Sequence, residues 1–364
     1  MMAGMIPAMR VASLFVALLL TAAAAQAQTL TIRGCHRLPA KDFQGLSGIT
    51  FAGENKFFGV LEWESQIVPM LITFAADGDV ESFIPGPPVK VAGGKDLEGI
   101  AFLPGRAEKL LISDESPRIF EVNIADGKVV RTLPAPDVFK QIVPNYGFES
   151  LTYSVDGKSL WVANERALKI DGNPQTPATP ISAVTRVRLQ RYEIDGEKAT
   201  PREQFEYETS GVHDWGGTIG LCDLAALPDG RLLALERSAA KNFSGQVSIR
   251  SRIFVIDTAG ATDISKPPYD RGLVGQANVK VKKTLLWDGF VCDADGENLE
   301  GLCLGPRLGG ADENRWAVVG VVDNTDGGLG VSKPSLISFE LNLKARPAAS
   351  APAKGDTSVA PTKR

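Results

Sequence analysis

Apolar and polar positions in this 364-residue chain alternate in short runs, with no long helical spacing after its first residues. Five of the runs share one form: "GLSGITF" from Gly45, "DLEGIAF" from Asp96, "GFESLTY" from Gly147, "GLCDLAAL" from Gly220 and "NLEGLCL" from Asn298. Each predicts a short strand with a polar residue at one fixed place, read as Ser47, Glu98, Glu149, Asp223 and Glu300. A carboxylate buried without a partner is costly. Four acids at one place in a repeat therefore need a common physical reason.

Turns such as "AGEN", "SVDGK" and "LPDGR" follow most of these strands. A second strand comes next and ends in an acid: Glu62, Glu115, Glu165, Glu236 and Asp323. A third alternating run ("PMLITF", "RIFEVNI", "SRIFVID") and a polar turn lead to a fourth strand. Four short strands per unit, repeated along a chain of this length, predict an all-β fold, a β-propeller. The innermost strand of a blade lines a central channel, so one fixed position points to one level of that channel. The acids then ring a wet axis and are not lost in a dry core.

Five repeats are countable, and the last lacks a fourth strand. The segment "TLTIRGCHRL" from Thr29 has no blade of its own. Pairing the two closes the ring and removes the exposed edges. Six blades with one degenerate blade is the alternative. Against it, the long spans between Glu149, Asp223 and Glu300 carry loop-like insertions such as "KIDGNPQTPATP" and "AAKNFSGQVS", and no further inner strand.

The two ends stand apart. Arg10, the run "VASLFVALLL" and "AQA" ending at Ala27 form the pattern of a secretory signal peptide over 1–27. The run is short for a membrane span, so the mature chain is expected to be periplasmic or secreted. The tail over 345–364 is rich in Ala, Pro, Lys and Ser and is expected to be disordered. The domain then covers 28–344. A net charge of −4 without basic blocks argues against nucleic acid as a partner. A monomer is expected, with a small molecule as its partner. Of Cys35, Cys222, Cys292 and Cys303, the pair Cys292–Cys303 would close the shortest loop; four buried thiols are the alternative.

Carboxylates converging on one axis cannot all stay ionised without a counter-charge. With oxygen donors and neither His nor Cys among them, the ring predicts a hard cation, Ca²⁺ before Mg²⁺. The candidate ligands are Glu98, Glu149, Asp223, Glu300 and Asp323. The competing reading is that each acid fastens neighbouring blades through backbone amides or an Arg. Glu165–Arg166 and Glu236–Arg237 are candidate catalytic pairs, with the guanidiniums able to grip an anion. His213, in "GVHDWGG", is a candidate acid/base, and Lys95 a candidate substrate contact. His36, in the closing strand, is expected to be structural. No G-x-S-x-G, H-E-x-x-H or P-loop stands out.

The phrases "DLEGIAF", "NYGFESLTYSVDGKSLWVANE", "LAALPDGRLLALERS", "NLEGLCLGP" and "VVDN" resemble the phytase-like family, described by an esterase-like activity of phytase. The resemblance runs from about Gly45 to Phe339. It implies an exported β-propeller that hydrolyses phosphate or carboxylic esters. Glu98, Glu149, Glu165, Glu236, Arg237, Glu300, Asp323 and Asn324 match its recurring motif positions; Asn324 is thereby a candidate substrate contact. The R-H-G-x-R-x-P motif of histidine acid phosphatases is absent. A non-enzymatic binding propeller and a lactonase-like propeller with one axial Ca²⁺ are the alternatives.

Overall fold

The computed structural model describes residues 28–103, 105–106, 108–172, 184–309, 314–324 and 332–343. The expected signal peptide and the tail lie outside them, as does part of the first long insertion. Five antiparallel sheets form five blades, and the described residues contain no α-helix, only three short 3-10 turns. The inner strands are Leu46–Phe51, Leu97–Phe102, Phe148–Tyr153, Gly217–Ala226 and Leu299–Leu308. They belong to blades 1 to 5 in chain order.

Each blade buries an apolar face against the next. Val60 and Ile67 of blade 1 pack on Ile100 and Ile112 of blade 2. Blades 2 and 3, 3 and 4, and 4 and 5 share further clusters of the same kind. Leu46, Ile49 and Phe57 of blade 1 meet Val319, Val321 and Leu336 of blade 5. This last cluster makes the ring a ring.

Closure comes from the N-terminal strand, Thr29–Arg37, which is the outer strand of blade 5. It pairs antiparallel with Ser335–Asn342, from Thr29 opposite Asn342 to Arg37 opposite Ser335. Arg33 pairs with Glu340, which also takes Arg315 at 2.5 Å. Arg37 pairs with Glu297, and with Asp293 at 3.2 Å. The disulfide joins Cys35 to Cys292, with Cα atoms 5.5 Å apart. The expected Cys292–Cys303 bridge does not form. Cys303 is buried in the cluster between blades 5 and 1, while Cys292 faces the closing strand. Loop length favoured the short pairing, and strand topology overrides it. The bridge closes a span of 257 residues, which in the chain-entropy view stabilises the fold by about 5 kcal/mol.

The inner strands nearly touch at one level. A Cβ on Gly99 would lie 2.6 Å from Leu151 N, and one on Gly301 would lie 2.6 Å from Ser47 O. Blade 4 carries Asp223 at this level. Its buried carboxylate accepts from Leu224 N at 2.7 Å and Leu302 N at 2.6 Å, and also from the Leu151 amide. Burial raises its pKa well above the usual value, and the three amides pull the other way. Asp223 thus bolts blades 3, 4 and 5 together.

Two outcomes follow. Deleting residues 29–38 is expected to leave blade 5 with an open edge and to abolish the single cooperative melt seen by circular dichroism. Asp223→Ala leaves three buried N–H groups without their acceptor, at roughly 1–3 kcal/mol each. Urea unfolding should show a loss of about 3 kcal/mol or more, and a loss below about 1 kcal/mol would refute the bolt.

Candidate functional site

One local irregularity recurs in every blade where the inner strand meets the second strand. Leu46 pairs with Leu61 but Gly48 with Val60, so Ser47 is an extra residue. The same slip brackets Glu149 in blade 3, Cys222 in blade 4 and Glu300 in blade 5. In blade 2 it falls between Leu97 and Ile100, across Glu98 and Gly99. A β-bulge turns one side chain away from the regular alternation. The bulged residues Ser47, Glu98, Glu149, Cys222 and Glu300 form one ring.

A second ring stands beside it. The second-strand partners of Leu46, Leu97, Phe148, Leu221 and Leu299 are Leu61, Asp114, Asn164, Glu236 and Val322. The next residue in each blade is Glu62, Glu115, Glu165, Arg237 and Asp323. Their chain path is fixed by the ladder, with Glu62 N bonding Gly45 O at 2.7 Å and Asp323 N bonding Asn298 O at 2.9 Å. Together the rings form a cup of seven carboxylates, interrupted by Ser47 in blade 1 and by Cys222 and Arg237 in blade 4.

Arg237 is the cup's internal counter-charge. Its guanidinium donates to Glu300, to Glu165 at 3.2 Å and to Asn298 Oδ1 at 2.5 Å. Glu165 also receives Arg166 at 3.2 Å, and Gly220 leaves it room, since a Cβ there would lie 2.4 Å from Glu165 Oε1. Arg166 stacks on Tyr146 at 4.0 Å and reaches Thr218 at 3.4 Å, while its buried Nε has no partner among the described residues. These contacts satisfy the blade 3 to blade 5 side.

The blade 2 to blade 3 side is different. Glu98, Glu115 and Glu149 each offer a carboxylate oxygen, and the three atoms lie within 4.8 Å of one another. Glu115 accepts from Gly147 N at 2.6 Å. Burial first, then Glu149 and its neighbours, push Glu98 well above the ordinary carboxylate range. Burial and Glu165 do the same to Glu149. Burial and nearby acids raise Glu62 and Glu115 to about 7, and Asp323 to about 8. Asp323 Oδ1 is buried with no partner among the described residues. Glu300 is raised by burial and held back by Arg237. An all-oxygen donor set with excess negative charge fits a hard divalent cation at Glu98, Glu115 and Glu149.

Among the expected ligands, Glu98, Glu149, Glu300 and Asp323 line the cup, and Asp223 does not. The ring position of blade 4 is Cys222, one residue earlier, as alignment on Leu221 with Leu97 and Leu299 would have indicated. Glu236 is likewise one residue short of the second ring. It is buried against Tyr207 Oη at 2.5 Å, Ser210 N at 3.0 Å and Lys283 Nζ at 2.7 Å. Glu165, Arg166 and Arg237 are in the cup. Asn324 accepts from Gly45 N at 3.0 Å, which ties blade 5 to blade 1. Lys95 is exposed beside Asp96 at 3.6 Å. His213 bonds Ser238 and Ser248 and no cup carboxylate. His36 bonds Asp79 at 2.8 Å in the closing strand. The cup also uses Glu62, Glu115, Cys222, Tyr146 and Asn298. The first two were visible as strand-end acids in the repeat, Cys222 and Asn298 stand at repeat positions without an acid there, and Tyr146 carries no repeat signal.

The chain resembles known proteins at three levels. It is 34% identical over 195 residues to an uncharacterized secreted protein of Arthroderma benhamiae; the match spans 49% of this chain and 35% of that protein's length. Glutaminyl cyclase of Myxococcus xanthus superposes over 86% of this chain and 97% of its own, with 14% identity and a TM-score of 0.39. The family model for phytase-like proteins, described as "esterase-like activity of phytase", matches residues 18–324, which include all five inner strands and both rings. The chain therefore belongs to the phytase-like family.

Proposed function

We propose that this chain is an exported, metal-dependent hydrolase of phosphate and other anionic esters, acting at the acidic cup. The observation that carries the reading is the convergence of Glu98, Glu115 and Glu149 within 4.8 Å beside an arginine-balanced wall. Those three residues would hold the ion, with Ca²⁺ favoured by the oxygen-only donor set. When bound, such an ion supplies charge neutralisation and Lewis acidity toward a phosphate oxygen. The chain's own residues do the rest. Arg166, propped on Tyr146 and held by Glu165, has an unpaired Nε that can orient an anionic oxygen. Arg237 is fully engaged by Glu165, Glu300 and Asn298, so its part is to keep those acids in place. Export is supported by the N-terminal pattern and by the description of the fungal relative as secreted. No helix among the described residues is long and apolar enough to cross a membrane.

The purely structural reading keeps one real observation: Asp223 and Glu236 do fasten blades. It does not extend to Glu98, which is buried at 7% exposure among like charges. The two readings differ in sign. If Glu98 is a fastener, Glu98→Gln destabilises the protein. If it is a ligand, Gln relieves repulsion in the metal-free state. The variant should then melt at or above wild type in chelator and gain much less from added Ca²⁺. For wild type, saturating Ca²⁺ at 100 times its Kd should add about 2.7 kcal/mol. Hydrolysis of p-nitrophenyl phosphate should fall with chelator and with Glu98→Gln together. A wild-type melt indifferent to both chelator and Ca²⁺ would withdraw the metal.

The raised acids also set a pH dependence. Glu62 and Glu115 titrate near 7 and Asp323 near 8 in the fold, against about 4 in the unfolded chain. The folded state holds more protons between these values, so stability falls as pH rises. In chelator, the melting temperature should drop from pH 5 to pH 8, and Ca²⁺ should flatten that slope. A metal-free protein that becomes more stable over this interval would contradict the charge assignment of the cup.

A further inference from the structure

Blade 4 carries a second group of reactive side chains that the cup does not use. Its first three strands run 10, 10 and 11 residues, against 6 for each of the first three strands of blade 2. The extra length extends beyond Arg237 to a turn at Asn242–Gly245. The loop that precedes the inner strand folds back onto this hairpin, with Lys241 N bonding Gly216 O at 3.3 Å.

His213, on that loop, is held at both ring nitrogens. Nδ1 lies 2.8 Å from Ser238 Oγ, and Nε2 lies 2.8 Å from Ser248 Oγ. Ser238 also accepts from the His213 backbone N–H at 3.1 Å, which fixes the loop against the second strand. In the tautomer protonated at Nδ1, that N–H donates to Ser238 and Nε2 accepts from the Ser248 hydroxyl. This is the order nucleophile, base, orienting acceptor. Ser238 is fully buried and Ser248 is half-buried, so the nucleophile end is the one open to solvent. Burial first, then Arg252 and Arg250, lower the imidazole pKa to about 4, with Asp214 and Asp288 opposing. The ring is therefore neutral, in its base form, at pH 7.

Aromatic side chains stand on the same loop and hairpin. Phe290 meets the His213 ring edge-on at 5.9 Å. Trp215 and Phe243 stack at 5.2 Å while 59% and 86% exposed. Rings exposed to that degree and stacked on each other form an apolar landing surface, which a plain hairpin tip does not need. No charged group bonds the imidazole among the described residues.

We infer that Ser248, His213 and Ser238 form a second hydrolytic site, for uncharged carboxylic esters bearing an aryl or short acyl group. Ser248 Oγ attacks the acyl carbon, and its proton passes to His213 Nε2. The ester C–O bond breaks, and the alcohol leaves with that proton. Water then gives a proton to Nε2 and attacks the acyl-serine; the carboxylic acid departs and Ser248 recovers its proton. Ser248 and His213 are the catalytic residues. Ser238 is a positioning residue that holds the imidazole by Nδ1. The site needs no metal, which separates it from the cup.

The test uses the full chain in chelator, where the cup is inactive. A fluorophosphonate probe should label wild type once, with the adduct mapped to Ser248 by mass spectrometry. Chelator-resistant hydrolysis of p-nitrophenyl butyrate should fall at least about 100-fold in Ser248→Ala and in His213→Gln, with melting of Ser248→Ala unchanged. Ser238→Ala should slow labelling and move its acid limb, and Ser238→Thr should restore both; an unmoved limb removes the positioning role. If a variant fails to fold, the wild-type adduct map decides. No adduct, an adduct elsewhere, or a Ser248→Ala variant with undiminished hydrolysis overturns the inference.

Discussion

Repulsion among carboxylates crowded onto one axis is the constraint around which this molecule is arranged. Seven acids from four blades converge because ring closure points equivalent strand positions at the same place. Water does not screen them fully, since Glu98 is almost entirely buried. The chain answers on one side only. Arg237 replaces an acid in the second ring and Cys222 replaces one in the first, so blade 4 neutralises Glu165 and Glu300 directly. The opposite side keeps Glu98, Glu115 and Glu149 together, without an equivalent cation among the described residues. The asymmetry is what makes a metal reading specific, because it names where the missing positive charge would go.

Such a cup has to be held from outside, as its own members repel. Asp223 binds amides of blades 3, 4 and 5 just below it. Asn324 joins blade 5 to Gly45 of blade 1. The closing strand, its disulfide at Cys292 and the Arg37–Glu297 pair hold the segment that leads into Asn298 and Glu300. Closure of the ring and placement of the Arg237 partners are therefore one mechanical problem. A strap far from the cup in sequence fixes the loop on which Asn298 stands.

The fold was legible because a propeller repeats. Five inner-strand phrases, strand-end acids and one spare N-terminal strand are enough to count blades and close the ring. Most of the cup was legible for the same reason, through Glu98, Glu149, Glu300, Asp323, Glu165 and Arg237. The errors came where the repeat breaks. In blade 4 the eye follows charge and lands on Asp223 and Glu236, whereas the backbone aligns Cys222 and Arg237. The bulge that turns each ring residue inward adds one position without a residue-type signature, so acid and apolar registers separate there. The Cys35–Cys292 bridge depends on two segments 257 residues apart, which only the closed topology brings together. His213 was visible as a titratable loop residue, but its partners Ser238 and Ser248 lie on strands whose pairing the sequence does not disclose.

Departures from the repeat thus concentrate in blade 4, and each one there has chemistry attached. Its ring positions carry a thiol and a guanidinium in place of two acids. Its inner level carries a carboxylate where blades 1, 2 and 5 carry glycine. Its strands are the longest consecutive set, and the added turns hold a neutral histidine between two serines, on the same segments as exposed aromatic rings. A repeat kept only for stability has no reason to concentrate its exceptions, and consistency across levels tends to fail at functional places. Blades 1, 2, 3 and 5 supply the charge that must be balanced. Blade 4 supplies both the cation that balances part of it and a second surface that needs no cation at all.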